Sequence, residues 1–256
     1  MKIRSVIYLL LLSTVLTAIA AYVPDPISGY DYLTPEMQAM QDDDFANPGM
    51  LAVEVGESLF SKQGKSGKSC ASCHGDGGDK FDIKRIAAYP LYSRQLKKPV
   101  TLRDQILSCR NNRMGGLPLE YSSEEALQLE AFVRRLAYGE TVAVDVSGPM
   151  SSYYEAGEKL YHTRWGQVDI ACYQCHDYHA GQTFRGQKLT QGQSNGFPVY
   201  RFTTGQVVGL QERISECLTN LRAEPYDLGS KEYTALEVYM NARSNGLKIE
   251  TPGIRY

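Results

Sequence analysis

The sequence predicts a mainly α-helical protein that contains two tandem copies of one small domain. Two C-x-x-C-H motifs begin at Cys70 and Cys172, and similar residues surround them at similar distances. A final helix is predicted in each copy, at residues 123–137 and 232–242, because apolar residues recur there at helical spacing. No segment of useful length alternates between apolar and polar residues as a half-buried strand would. Together these features favour a helical internal duplication.

The first 21 residues have the layout of a secretory signal peptide. Lys2 and Arg4 precede an apolar run over residues 6–16, and small residues follow from Ala18 onwards. The run is too short to favour a membrane anchor, which is the alternative. We therefore expect cleavage of residues 1–21, a periplasmic mature protein and no membrane span.

Charge is balanced overall but uneven along the chain. There are 27 Lys plus Arg and 29 Asp plus Glu, so no net field attracts nucleic acid or a membrane surface. Residues 22–60 contain eight acidic side chains and no Lys or Arg. We expect residues 22–52 to form a solvated acidic N-terminal extension, with a docking strip for a partner as the alternative.

The two C-x-x-C-H motifs predict covalent attachment of two haem c groups. Two thiols at this spacing on a helical turn can each form a thioether to a porphyrin vinyl group, and the histidine can ligate the iron. A zinc ribbon would place its cysteine pairs about 15–20 residues apart, and a thioredoxin-like pair would need a βαβ context. The residues expected to bind haem are Cys70, Cys73 and His74 in the first motif and Cys172, Cys175 and His176 in the second.

Aligning the motifs extends the duplication beyond them. Residues 55–60 match 156–161 at an offset of 101 residues. After the motifs the offset is 108, which places Cys109 on Cys217, and near the end of each copy an Ala-Leu pair repeats at an offset of 109. Two copies of one haem-binding domain explain the pattern.

Each copy is expected to fold as a cytochrome c-like domain, over residues 53–146 and 147–256, the second being catalytic. A helix leads into each C-x-x-C-H motif, a loop rich in Gly and Pro follows, and a further helix carries one cysteine. Residues 141–152, with Gly148-Pro149, are the expected linker.

Cys109 and Cys217 remain once four cysteines are assigned to haem. A duplication tends to place equivalent residues at equivalent internal sites, which argues against a disulfide between them. We expect each thiolate to be the distal axial ligand of its own haem iron. A disulfide and a free buried thiol are the alternatives, and Met114 could replace Cys109 as a ligand.

The surroundings of Cys217 suggest a reactive sulfur. A thiolate ligand lowers the reduction potential of haem iron, which is an odd choice for a plain electron carrier. Arg213 lies one helical turn before Cys217, so its guanidinium could hold an oxyanion on the same face. The first copy has Gln105 in place of Arg213, but it also has Arg113 four residues after Cys109, where the second copy has Leu221. This asymmetry favours the second copy as the anion site; a surface arginine or a haem-propionate partner is the alternative.

Several stretches of the second copy resemble the SoxA family, the dihaem subunits of the SoxAX cytochromes of bacterial sulfur oxidation. They are RWGQ at 164–167, CYQCH at 172–176, QG at 191–192, NGFP at 195–198, Arg213 with Cys217, RAEP at 222–225, GS at 229–230 and EY at 232–233. The match covers most of the chain that follows the predicted signal.

The resemblance implies an L-cysteine S-thiosulfotransferase. In that family the complex couples thiosulfate oxidatively to a cysteine of the carrier protein SoxYZ, and two electrons leave through the haems to a c-type cytochrome. The residue that matches Cys217 is the haem-ligating catalytic cysteine, found as a persulfide, and the residue that matches Arg213 is implicated in substrate binding. A SoxX-like monohaem partner subunit is also implied.

Two other functions stay open at this point. One is a thiosulfate dehydrogenase that joins two thiosulfates to tetrathionate, and the other is a dihaem electron carrier without a catalytic sulfur. Glu216 also places a negative charge directly before Cys217 in a site meant for anions. On a helix it is expected to point about 100° away from Cys217, which softens the conflict.

Intact-mass spectrometry tests the haem content and the state of Cys217. Two covalent haems predict a gain of about 1.2 kDa over the cleaved chain, and a persulfide predicts about 32 Da more. A gain of only half that amount, which corresponds to one haem, would mean that one motif carries no haem.

Overall fold

A computed structural model describes residues 25–115 and 118–256, so the predicted signal peptide lies outside it. Within those residues the α-helices are α1 Pro35–Asp42, α2 Met50–Ser61, α3 Ala71–His74, α4 Ile83–Ala87, α5 Leu102–Arg113, α6 Glu124–Arg135, α7 Ser151–His162, α8 Cys172–His176, α9 Leu210–Asn220 and α10 Lys231–Arg243. Nowhere in these two ranges is a helix long and apolar enough to cross a membrane. The mainly α-helical fold class is confirmed.

Seven short strands accompany the helices. They are β1 Leu91–Ser93, β2 Lys98–Val100, β3 Thr183–Phe184, β4 Gln187–Lys188, β5 Val199–Arg201, β6 Gln206–Val208 and β7 Gly253–Arg255. β1-β2 and β3-β4 form antiparallel pairs, and β5 lies between antiparallel β6 and parallel β7. Sequence patterning missed these strands because two or three residues are too few to show an alternating pattern.

The duplication is visible in how the first and last helices of each copy cross. We call α2–α6 the N-terminal half and α7–α10 the C-terminal half. A Cβ atom on Gly56 of α2 would overlap the carbonyl oxygen of Gln128 in α6. A Cβ atom on Gly157 of α7 would overlap the carbonyl oxygen of Ala235 in α10 in the same way. Glycine therefore permits the same close helix crossing in both halves.

Aromatic pairs repeat at the same crossings. The ring centroids of Phe60 and Phe132 are 5.2 Å apart with the planes at 52°. Those of Tyr161 and Tyr239 are 5.2 Å apart at 51°. These rings belong to the two main hydrophobic cores, one in each half. Two copies of one packing arrangement therefore form the protein.

The predicted register of the final helices is wrong by two residues. Equivalent N-cap serines, Ser123 and Ser230, each accept a hydrogen bond from the backbone N–H three residues later. The two serines are 107 residues apart, and so are the crossing carbonyls of Gln128 and Ala235. The sequence alignment instead paired Ala126 with Ala235, at an offset of 109 residues. Apolar residues recur every three or four positions in both helices, so a shifted register also matches by pattern.

Over its described residues, 25–52, the N-terminal segment is docked against the rest of the chain, which corrects the expectation of a solvated extension. The backbone N–H of Ile254 donates to Gln41 Oε1 at 2.8 Å. The Asn47 side chain donates to the Pro252 carbonyl at 2.9 Å. The acidic side chains of the segment nevertheless face solvent, so sequence composition described the surface of the segment and not its packing.

The connection between the halves is also packed. Val142 is 1% exposed, and its backbone exchanges hydrogen bonds with Leu247 and Gly246 beyond α10. Ile249 is fully buried in the core of the N-terminal half. The C-terminal end of the chain therefore crosses back and helps to complete the first core.

A buried charge cluster joins the two halves. Arg103 of α5, with a side chain only 2% exposed, pairs with Glu130 of α6 at 2.7 Å and with Glu212 of α9. Nearby, Glu237 of α10 is buried and accepts a hydrogen bond from Gln211 of α9 at 2.8 Å. Because a buried charge without a partner is costly, these contacts fix α9 against both α5 and α10.

We expect the folded protein to lose stability between about pH 5 and pH 8 through Glu237. Burial raises the pKa of Glu237 to about 8, Glu130 adds to the rise, and Gln211 and Arg103 oppose it. In the folded chain Glu237 then retains a proton that it loses in the unfolded chain, where its pKa has the ordinary value of about 4.5. The stabilisation is complete below that value and is lost as pH rises towards 8.

Glu237→Gln should flatten this pH dependence of the melting temperature, because the amide cannot titrate. Each kcal/mol of unfolding free energy corresponds to a shift of about 2–4 °C in melting temperature for a protein of this size. Differential scanning calorimetry between pH 5 and pH 8 measures the melting temperature. Glu155→Gln, at an exposed position of α7, should keep the wild-type slope. Equal slopes in wild type and Glu237→Gln would contradict a neutral buried Glu237.

Candidate haem sites and the Cys217 site

The first C-x-x-C-H motif opens onto a cavity of about 520 Å³. Its walls include both motif thiols, Cys70 and Cys73, together with His74 and Cys109. Most other wall residues are apolar, and the volume lies within the usual range of about 300–1,000 Å³ for cofactor sites. The residues present therefore fit a covalently attached haem.

Cationic side chains and an aromatic ring complete this cavity. Lys80, Arg85 and Arg113 line it and could pair with haem propionates. His74 stacks on Phe81 with ring centroids 4.2 Å apart. Burial is the main cause that lowers the pKa of His74, and nearby Arg113 lowers it further, which favours the neutral ring.

Two sulfur side chains in the cavity wall, Cys109 and Met114, are candidates for the distal ligand of the first haem. Cys109 Sγ accepts a hydrogen bond from Gln105 Nε2 at 3.2 Å. Met114 Sδ lies 3.8 Å from Cys70 Sγ, one of the two thiols that would bond to the porphyrin edge. Because Cys70 would be bonded to the haem beside Met114, we expect Cys109 to be the distal ligand.

The second motif holds its histidine in one defined tautomer. His176, at the end of α8, donates through Nδ1 to the Thr190 carbonyl at 2.8 Å, which leaves Nε2 available for iron. Gly192 packs against the same ring, and a Cβ atom there would lie 3.2 Å from Cγ of His176. The glycine of the Gln-Gly pair noted in the sequence therefore packs against the expected axial histidine.

A charged network behind His176 was not predicted from the sequence. Asp177 accepts hydrogen bonds from the Tyr161 hydroxyl at 2.8 Å and from Arg243 at 2.6 Å. Arg243 also donates to the Gln191 carbonyl at 3.2 Å. Helices α7, α8 and α10 and the loop before Gly192 are thus tied together next to the motif. No sequence signal links these residues, because they come from four separate segments.

Cys217 lies on α9 next to the second motif. Burial raises the pKa of Cys172 to about 12, and the proximity of Cys217 adds to the rise. Cys175 is affected in the same two ways. None of the six cysteines, all within the described part of the chain, forms a disulfide. Cys109 and Cys217 lie at the same position of the corresponding helices α5 and α9, which begin at Leu102 and Leu210.

Two arginines and one glutamate surround Cys217. Arg213 pairs with Glu216 at 2.9 Å, and Arg201 of β5 approaches the same carboxylate at 3.6 Å. Burial lowers the pKa of Arg201, nearby Arg213 lowers it further, and Glu216 and Cys217 oppose the change. Glu216 therefore pairs with both arginines, because the two cations attract its carboxylate.

Other stretches of the sequence resemblance also meet in space. Arg222 donates to Gln167 at 3.3 Å. Gly166 approaches the Leu221 carbonyl so closely that a Cβ atom would overlap it. The 164–167 and 222–225 stretches are therefore one structural unit at the end of α9.

Helical units that place C-x-x-C-H thiols and a histidine beside a sulfur ligand define a c-type cytochrome. The family described as SoxA/TsdA, cytochrome c domain, matches residues 55–142 and 156–249. The chain belongs to the SoxA family, as the resemblance predicted.

Similar proteins agree with this assignment. The L-cysteine S-thiosulfotransferase subunit SoxA of Pseudaminobacter salicylatoxidans is 40% identical over 232 residues, which are 90% of this chain and 80% of that protein. The SoxA subunit of Rhodovulum sulfidophilum is 36% identical over 89% of this chain and 79% of its own. The crystal structure of SoxXA from P. pantotrophus superposes with a TM-score of 0.85 at 32% identity, covering 90% of this chain and 87% of that chain.

Low-temperature electron paramagnetic resonance tests the ligand of the first haem. Cys109→Ser should remove one low-spin His/thiolate signal, because it removes the sulfur that Gln105 contacts. Met114→Leu, a change of similar volume at the same cavity, should leave that signal in place. Loss of the signal in Met114→Leu with retention in Cys109→Ser would reverse the assignment.

Proposed function

We propose that this protein is the SoxA-type subunit of a periplasmic L-cysteine S-thiosulfotransferase. It would couple thiosulfate oxidatively to a cysteine of a SoxYZ-like sulfur-carrier protein. The observation that carries the proposal is the convergence of Arg201 and Arg213 beside Cys217. The names of the similar SoxA proteins support the same activity.

Two covalently bound haem c groups are part of the proposal. When bound, haem c supplies one-electron acceptors for the two electrons that the coupling releases. Cys70, Cys73, His74 and Cys109 would hold the first group, and Cys172, Cys175, His176 and Cys217 the second. The hydrogen bonds at His176 Nδ1 and Cys109 Sγ support these ligand roles by orienting both side chains.

Arg213 would bind the sulfonate end of thiosulfate. A guanidinium offers two parallel N–H donors to an oxyanion, and Arg213 is one turn before Cys217 on α9. Its side chain is 29% exposed, so a dissolved anion can reach it. With the sulfonate held there, the outer sulfur of thiosulfate would face Cys217. The N-terminal half has the neutral Gln105 at this position and lacks such a cation.

The sulfur chemistry balances in two steps at Cys217. The thiolate and the outer sulfur of thiosulfate form an S–S bond, and two electrons leave. The carrier thiolate then attacks that outer sulfur, forms its own S–S bond and releases the Cys217 thiolate, while the proton of the carrier thiol goes to solvent. A persulfide at Cys217 would react in the same way, one sulfur further out.

A SoxX-like monohaem cytochrome is the proposed partner subunit. One solved structure similar to this chain is that of SoxXA from P. pantotrophus, which supports such an assembly. The proposal also requires the carrier protein to reach Cys217 and a c-type cytochrome to accept electrons. The partial exposure of Cys217 is compatible with approach of a carrier cysteine.

Cys217→Ser should lower thiosulfate-dependent cytochrome reduction by at least about 100-fold, because a hydroxyl is a far weaker sulfur nucleophile than a thiolate. Thr219→Ala, an exposed change two residues later on α9, provides the matched control and should keep the wild-type rate. Reduction is followed by absorbance with the purified complex, carrier protein and thiosulfate. Full turnover in a haem-loaded Cys217→Ser protein would mean an electron carrier without catalytic sulfur.

Product analysis separates the transferase from a thiosulfate dehydrogenase. With carrier protein present, the expected product is carrier bearing an S–S–SO₃⁻ group, detected by its mass. Without carrier, tetrathionate should not accumulate. Rapid tetrathionate formation that is independent of carrier would establish the dehydrogenase instead.

A further inference from the structure

The carboxylate of Glu216 lies between Arg201 and Arg213 but has no role in the thiosulfate chemistry proposed above. One oxygen of Glu216 faces Arg213, and the other faces Arg201. The carboxylate therefore bridges the two cations beside Cys217. We propose that Glu216 is an internal anion that occupies the substrate subsite of Arg201 and Arg213 and is displaced by the sulfonate. This inference rests on the proposed function.

Arg201 is built into the site. It enters from β5, and its side chain is 8% exposed, compared with 29% for Arg213. Its Nη2 donates to the Thr203 hydroxyl at 3.3 Å, but its buried Nε has no hydrogen-bond partner within the described residues. A buried donor without a partner is unfavourable unless a ligand or water satisfies it. Arg201 therefore has spare hydrogen-bonding capacity for an oxyanion.

Glu216 can leave the arginines easily. Its side chain is 41% exposed, and exposed ion pairs contribute little because water competes for both charges. Arg201 is held by burial, so the carboxylate is the mobile member of the group. Rotation of Glu216 into solvent would free both guanidinium groups without moving the backbone of α9.

The charges match a divalent oxyanion. With Glu216 displaced, two guanidinium groups face the site, and thiosulfate carries two negative charges. The pair would be neutralised by one dianion, while a monovalent anion such as chloride would leave a net positive charge. A divalent sulfur oxyanion would therefore displace Glu216 from the arginines, whereas common monovalent anions would compete with it only weakly.

The duplication shows that the three charges form a set. At the offset of 108 residues, Arg201, Arg213 and Glu216 correspond to Ser93, Gln105 and Ser108, none of which is charged. An ion pair needed only for stability of the repeated fold would be expected in both halves. All three charges are confined to the half that contains Cys217, which links them to that cysteine.

Glu216→Gln should bind sulfate, an inert divalent anion, roughly 3- to 10-fold more tightly, because the amide leaves both arginines without a competing charge. Titration calorimetry of sulfate with the reduced holoprotein complex measures this. The KM for thiosulfate should fall by a similar factor with little change in kcat. Glu155→Gln removes an equal charge from α7 and should change neither value. Arg201→Lys should weaken sulfate binding.

Unchanged or weaker sulfate binding by Glu216→Gln would overturn the internal-anion role and leave Glu216 as a support for Arg213. This result is distinguishable from failure of the proposed function. If the wild-type complex oxidises no thiosulfate with any carrier, the thiosulfotransferase proposal fails. The sulfate titrations still decide whether Glu216 competes for the arginine pair.

Discussion

The arrangement of the two halves depends on the ion pairs that the buried guanidinium of Arg103 makes with residues of both. It pairs with Glu130 within the N-terminal half and with Glu212 in the first turn of α9. Removing one partner of a buried ion pair costs about 3–5 kcal/mol, because the remaining charge is left without a partner. Glu212 directly precedes Arg213, so this contact also positions the start of the helix that presents Arg213 and Cys217. Packing between the halves and geometry at the reactive sulfur are therefore linked.

Duplication kept the scaffold and changed the chemistry. The glycine crossings at Gly56 and Gly157 are nearly identical, and both halves place a cysteine on the helix after the motif. The residue one turn before that cysteine is neutral Gln105 in one half and cationic Arg213 in the other. A neutral amide can support a sulfur ligand by a hydrogen bond, whereas a guanidinium can also hold an anion. One packing plan thus accommodates two proposed haem sites, of which only the second has the proposed substrate-binding arginine.

Sequence reasoning succeeded where a signal is local. The C-x-x-C-H spacing, the helix that carries Cys217 and the proximity of Arg213 all lie within one or two helical turns. It failed where the outcome depends on distant partners. The acidic N-terminal segment looked solvated, yet Gln41 and Asn47 anchor it to residues beyond 250. The final helices were aligned two residues out of register because an apolar pattern repeats with the helical period.

The sequence by itself determined the class of chemistry. Motif thiols, motif histidines and two further cysteines at matching positions predict where haem thioethers and iron ligands occur, because covalent spacing along a helix fixes these groups locally. Only the tertiary structure decided what surrounds Cys217. Arg201 comes close to it from a strand, and the carboxylate of Glu216 pairs with both Arg201 and Arg213. Attraction between charges on separate segments acts through space, and separation along the chain does not record it.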